Sequence, residues 1–261
     1  MTTLNQVVTQ AVKDIEENGY QSPDQINNWI KSILAVSNTY SEKEIYNYLK
    51  RSLGTKYDRL FNVDIRKNHK IPEFKLEQIK PKLRAELDRR VMVSAQLIKL
   101  NREAAIQKTT QRLIGWSTSI PAGGSKSVET NKTKLNIKTP LEELPFIERR
   151  VAIDQGHKLI ANINDIVATD GGAIAAIWHS HWRDSSYNAR HSHKERDGVI
   201  YVIPNNWALE QGLMKLDGHQ YTTDITMVGE EVYCRCYYQY IYRVSELPDS
   251  MKTAKFLNAL K

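Results

Sequence analysis

Trp178-His-Ser-His-Trp-Arg-Asp184, then Arg190-His-Ser-His-Lys-Glu-Arg-Asp-Gly198, and later Gly229-Glu-Glu-Val-Tyr-Cys-Arg-Cys-Tyr-Tyr-Gln-Tyr240 are the segments that decide how this chain is read. Its only two cysteines, Cys234 and Cys236, stand one residue apart. Five of its seven histidines (His179, His181, His191, His193 and His219) precede them closely. Residues 232–244 alternate as a strand should. Val232, Cys234, Cys236, Tyr238, Tyr240 and Tyr242 fall on one face, with Tyr233, Arg235, Tyr237, Gln239 and Ile241 on the other. Both thiols then point the same way. A bridge between residues i and i+2 of a strand would be strained. Free thiols or metal thiolates in a reducing compartment are the better reading.

Outward from this centre, the spacing predicts a helix after Pro145 with Phe146, Ile153, Ile160, Ile163 and Val167 inward, ending near Gly171-Gly172. Ala173 to Trp178 reads as a first strand, and the run from Gly198 to Pro204 as a second. The tail from Pro248 to Lys261 reads as a short amphipathic helix or a disordered end. A break rich in Ser, Thr, Asn, Lys and Gly spans 115–140 and reads as a linker or long surface loop, where a domain boundary is expected.

Residues 1–114 carry helical signals. Leu4, Val8, Ala11 and Ile15 form one apolar stripe stopped at Gly19. Ser22-Pro23 is a cap followed by proline at the first helical position, and Ser41 to Glu44 is a capping box. Residues 58–82 are basic and punctuated by Pro72 and Pro81. A long helix is expected from Leu83 to Ile114 with Leu87, Val91, Ile98 and Ala105 on one face. The fold class expected is α+β: an N-terminal helical region, then a small mixed α/β C-terminal domain with a few strands over 141–247, then the tail at 248–261.

Charge is unevenly placed. The first 150 residues carry a net +9 and the remainder −2. Arg84, Arg89, Arg90, Lys99, Arg102, Lys108 and Arg112, on the long helix, are the candidate nucleic-acid-binding residues. Attraction of that kind is independent of base sequence and screened by salt; a solvated helical surface explains the same bias. No zinc finger, zipper seam or aromatic ladder accompanies them. There is no apolar run long enough for a transmembrane helix, and the N-terminus lacks the basic-then-apolar order of a signal peptide.

The order Arg190-x-Ser-His193-x-x-x-Asp197-Gly198, followed by Gly-Glu and then Cys234-Arg-Cys236, resembles the signature of the phage Mu F-like head morphogenesis family. The segment Glu148 to Asn162 and the glycine pair before Trp178 resemble that domain's entry. The resemblance covers residues 146–243. It implies a non-enzymatic minor capsid protein of a tailed bacteriophage, in few copies inside the head near the portal, made in the host cytoplasm. Its role would be in head assembly and genome packaging or ejection. Portal or capsid protein and phage DNA are the implied partners, with no membrane in the assembled head. Many members carry Cys-x-x-Cys where this chain has Arg190-x-x-His193, so His193 takes a ligand position and Arg190 takes one that cannot bind metal.

Two readings of the cluster stay open. In the first, His193, Cys234 and Cys236 hold a structural zinc with His191 or Asp197 as fourth ligand, since zinc takes four nitrogen, sulfur or oxygen ligands in a tetrahedron. In the second, the cysteines are small buried residues, His193 and Asp197 hydrogen-bond across a loop, and Arg190 pairs with Asp184 or Asp197. Arg190, Gly198 and Trp178 are structural motif residues in either. Zincin and deaminase patterns are absent. A metal-dependent nuclease using His179, His181, His191 and Asp184 is the enzyme alternative. A toxin-type enzyme would need a further domain after the Cys-x-Cys strand, and 25 residues follow Cys236.

Overall fold

The computed structural model describes residues 3–37, 42–65, 72–124, 130–181 and 186–259. Helices dominate: α1 (Leu4–Asn18), α2 (Pro23–Ser37), α3 (Glu42–Arg59) with a π-helical turn at Leu60–Asp64, α4 (Glu73–Ser117), α5 (Thr130–Glu142) and α6 (Leu144–Asp170). A small sheet follows, built from β1 (Ala175–His179), β2 (Ile200–Val202) and β3 (Tyr237–Ile241), with α7 (His191–Glu195) and α8 (Trp207–Glu210) between strands and α9 (Ala254–Ala259) last. The architecture is α+β, as the sequence predicts. Among the described residues no helix is long and apolar enough to cross a membrane.

The chain divides into two compact units, residues 1–49 with 92–152, and residues 50–91 with 153–261. Residues 115–140, where the sequence suggests a boundary, fall within the first of these units. That segment is not a plain linker: α4 runs to Ser117, and Thr130–Glu142 is helical with Ile137 and Leu141 buried. Its polar composition hid two apolar positions four apart, enough to seat a helix in a core. Residues 125–129 lie outside the described residues.

In the first unit, α1 starts on a capping box in which the Thr3 side chain accepts from the Gln6 N–H and Gln6 returns the bond to the Thr3 N–H. Its stripe of Leu4, Val8, Ala11 and Ile15 is buried together with Ile26, Ile33, Leu113 and Ile137. Gly19 ends α1 at φ 74°, where a Cβ would stand 2.1 Å from the Pro121 carbonyl oxygen, so only glycine fits. Ser22 caps α2 by accepting from the Gln25 N–H. The expected capping box at Ser41 lies outside the described residues.

The long helix α4 starts earlier than expected, at Glu73 just after Pro72, and carries Pro81 inside it. Leu87, Val91, Ile98 and Ala105 are buried as predicted. On α6 the expected inward set is corrected in part. Ile163 and Val167 are buried, but Phe146 and Ile153 are half exposed, and Val151, Ala152 and Leu159 take the inward places.

The sheet has order β2-β1-β3 and is antiparallel throughout. Alanines of β1 stand opposite bulky partners, Ala176 between Tyr201 and Tyr240, Ala175 between Val202 and Ile241. Both faces are covered. Ala175, Val202 and Ile241 pack with Met214, Val244, Leu247 and Met251. Ala176, Trp178, Tyr201 and Tyr238 pack with Val228, Cys234 and Cys236. Met251 shows that the tail is seated, and Ala254–Ala259 is helical.

Candidate metal centre

The cysteines do not lie on the strand, which is shorter than the alternation predicts. β3 begins at Tyr237, and Val232, expected inside, is exposed. Cys234 and Cys236 sit in the turn and extended lead-in before it, and Tyr233 takes a left-handed φ of 60°. The alternation still holds from Cys234 to Tyr238, so both thiols remain buried on one side.

α6 fixes this turn. Asp154, Lys158 and Ala161 recur along one helical face. The buried Asp154 carboxylate accepts from the Tyr233 N–H at 2.6 Å, and Lys158 donates to the Glu230 carbonyl at 3.1 Å. The Ala161 methyl lies where a Gly229 side chain would be, 2.7 Å away.

His193 comes to the thiols from α7. Its Nδ1 lies 3.4 Å from Cys236 Sγ and 3.7 Å from Cys234 Sγ, and its ring is almost fully buried, edge-on to Trp178. The three donor atoms lie within 4.8 Å of one another. His193 Nε2 faces Glu231 Oε1 at 3.3 Å, and Arg190 Nε pairs with Glu231 Oε2 at 2.7 Å. Arg190 also donates to the Val232 carbonyl. Of its expected partners, Asp197 is replaced by Glu231; Asp184 lies outside the described residues. Glu231 was missed by the sequence reading, although it sits in the Gly-Glu-Glu run before the cysteines.

Neither proposed fourth ligand is in the group. His191 and His193 are two residues apart on a helix, about 200° around the axis. His193 points in, while His191 is exposed and paired with Glu195 at 3.2 Å. The Asp197 carboxylate is spent on the chain itself, accepting from the Ser180 N–H at 2.8 Å. The Gly198 N–H donates to the Trp178 carbonyl, so Asp197-Gly198 pins the end of β1. His179 and His181 both lie against Tyr237, and His179 Nε2 faces Gln239. His219 faces the Ile200 carbonyl.

The electrostatics favour a thiolate. A hydrogen bond from the Cys236 thiol, helped against burial by the Gly229 and Cys236 N–H groups and by His193, lowers Cys234 to about 5. Cys236, as the donor, is raised. Among the described residues, the buried Trp178 Nε1 and Ser180 Oγ have no oxygen or nitrogen partner, and both face the Cys236 sulfur.

These residues fit a metal. A tetrahedral zinc with sulfur at about 2.3 Å and nitrogen at about 2.0 Å sets N···S edges of about 3.5 Å, close to the two distances found. The Arg190–Glu231–His193 chain is an outer shell that orients Nδ1 toward the sulfurs. The buried His193, Cys234 and Cys236 group can hold a metal ion.

The basic residues proposed to meet nucleic acid are mostly committed internally. Arg90 is buried and bonds Glu86 and Gln155; Arg89 forks onto Glu86; Arg84 pairs with Asp88. Lys99 pairs with Glu42, Arg102 with Glu148, and Arg112 donates to the Asn136 carbonyl. Lys108 is exposed. Six of the seven thus have a partner within their own unit. Sequence spacing could reveal only the pairs a turn apart on α4, with Glu86 and Asp88; Glu42, Glu148 and the Asn136 carbonyl come from other helices.

No protein-family model matches the chain, and no curated protein or solved structure matches it.

Proposed function

We propose that this chain is a non-enzymatic minor head protein of a tailed bacteriophage, of the Mu F-like kind, in which zinc closes the C-terminal α+β segment as a structural staple. One observation carries the reading. The residues that bear the resemblance are distant in sequence yet meet in space: His193 with Cys234 and Cys236, Arg190 with the residues just before Cys234, Asp197 and Gly198 with the strand end at Trp178. Such a constellation is what a fold-defining signature needs, and it joins segments about forty residues apart.

The protein would act by surface, few copies inside the capsid near the portal, in head assembly and in packaging or ejection of the genome. Non-specific DNA contact would be weak, since most of the candidate cations are already paired. The nuclease alternative lacks support among the described residues, where His179, His181 and His191 do not join the buried group.

Zinc supplies a cross-link here. Cys234, Cys236 and His193 hold it, Glu231 and Arg190 orient His193, and the Trp178 and Ser180 donors face the Cys236 thiolate. Elemental analysis of the purified chain should find about one zinc. Cys234→Ser and His193→Ala should each lose the metal together with thermal stability. Zinc retained in both variants would overturn the staple. Mass spectrometry of purified virions from the strain encoding the chain tests the wider reading; its absence from them would overturn a head protein.

A further inference from the structure

A bridge across a flat strand would be strained, but the segment carrying Cys234 and Cys236 follows the left-handed residue Tyr233 and lies outside the β1–β3 pairing. Their sulfurs are within 4.8 Å of each other, and the Cys236 thiol donates to the Cys234 sulfur. A disulfide needs about 2.05 Å between sulfurs, a gap that side-chain rotation and a small backbone shift can close. Both residues are almost fully buried, yet both wall a cavity of about 450 Å³ in the second unit. A water molecule occupies about 30 Å³ of liquid. Hydrogen peroxide is only slightly larger, so a molecule of that size fits the space beside the thiols.

We propose that Cys234 and Cys236 form a peroxide-sensitive dithiol, whose closure into a disulfide takes both sulfurs from the metal and releases it. The inference rests on the metal reading above and adds to it that the staple opens on oxidation. Starting from the two thiolates, one sulfur attacks a peroxide oxygen, the O–O bond breaks and hydroxide leaves, giving a sulfenic acid. The second sulfur attacks the first, the S–O bond breaks, and a second hydroxide leaves as the S–S bond forms. The sulfurs give up two electrons, the peroxide takes them, and two solvent protons turn the hydroxides into water. Proximity of the second sulfur traps the sulfenic acid before another peroxide can oxidise it further. The ring closed through Arg235 is small, so the bridge is strained and readily reduced by an added dithiol.

The zinc-loaded full chain is exposed to excess hydrogen peroxide, and intact mass and free zinc are followed together. Expected are the loss of two hydrogens per chain, release of about one zinc in step with it, and reversal of both on adding dithiothreitol and zinc. Trypsin cuts after Arg235, between the two cysteines, so the flanking peptides stay joined only where the bridge is present. Cys236→Ser should instead add oxygen at Cys234 and lose no hydrogen. A wild-type chain that gains oxygen instead, links to a second copy through these cysteines, or stays unchanged would overturn the inference while leaving the staple standing. Zinc released without a bridge would overturn it as well. A chain that takes up no zinc at the outset removes the staple and the metal-release half of the inference, and the mass change then decides the dithiol by itself.

Discussion

His157, in the second unit, titrates under the influence of burial and of its basic neighbours. Burial, together with the positive charges of Lys56, Arg235 and His181, lowers its pKa from 6.5, against the opposing pull of Asp154. The unfolded chain therefore binds this proton more readily than the folded one. The resulting stability is fully present above pH 6.5 and is lost as the pH falls through the lowered folded value. Denaturant titrations of the metal-free chain should show that decline, and His157→Gln should flatten it. Glu86 behaves in the same direction at lower pH. Burial alone would raise it, but hydrogen bonds from Arg89 and Asn162 and the charges of Arg90 and Arg89 outweigh burial and hold it below the usual range. Glu86→Ala removes the carboxylate shared by Arg89 and the buried Arg90 and should cost about 3 kcal/mol in urea unfolding, the low end for breaking a buried pair.

The elements were legible where the apolar period was long. α1, α2 and most of α4 follow from their stripes, and the strands from short runs of apolar residues. Legibility failed where a tertiary partner decides the outcome. α5 has a loop's composition but is helical because Ile137 and Leu141 find a core. The cysteine segment alternates like a strand, yet the Asp154 carboxylate and Gly229 at φ 80° turn it before β3 begins. The pairing of His193 with the thiols was readable from the motif. The roles of Glu231 and Asp154 were not, since a carboxylate in an acidic run carries no mark of which donor it faces. Gly229→Ala tests the close approach. It must place a methyl 2.7 Å from the Ala161 Cβ in a backbone region hostile to L residues. A loss of about 2 kcal/mol or more in thermal unfolding is expected. A neutral outcome would show that the turn can move away from α6.

Across the whole molecule, the net charge of +7 favours contact with polyanions, but its distribution tempers this. The salt slope of DNA binding counts phosphates neutralised, about one unit per contact. Arg90→Met and Arg102→Met, which remove cations already paired with Glu86 and Glu148, should change stability and leave that slope unaltered. A slope reduced by one unit in either variant would place that residue on the DNA instead.

The turn that carries Cys234 and Cys236 is held shut by side chains reaching it from far along the chain. The two sulfurs are therefore hidden only while those distant partners are in place. They can serve as a natural clock for local opening. In the metal-free chain, a pulse of alkylating reagent should label them at the rate at which the turn leaves α6, and the labelled mass would count openings molecule by molecule. Substituting Asp154 should quicken that clock before the helices of the first unit have begun to melt.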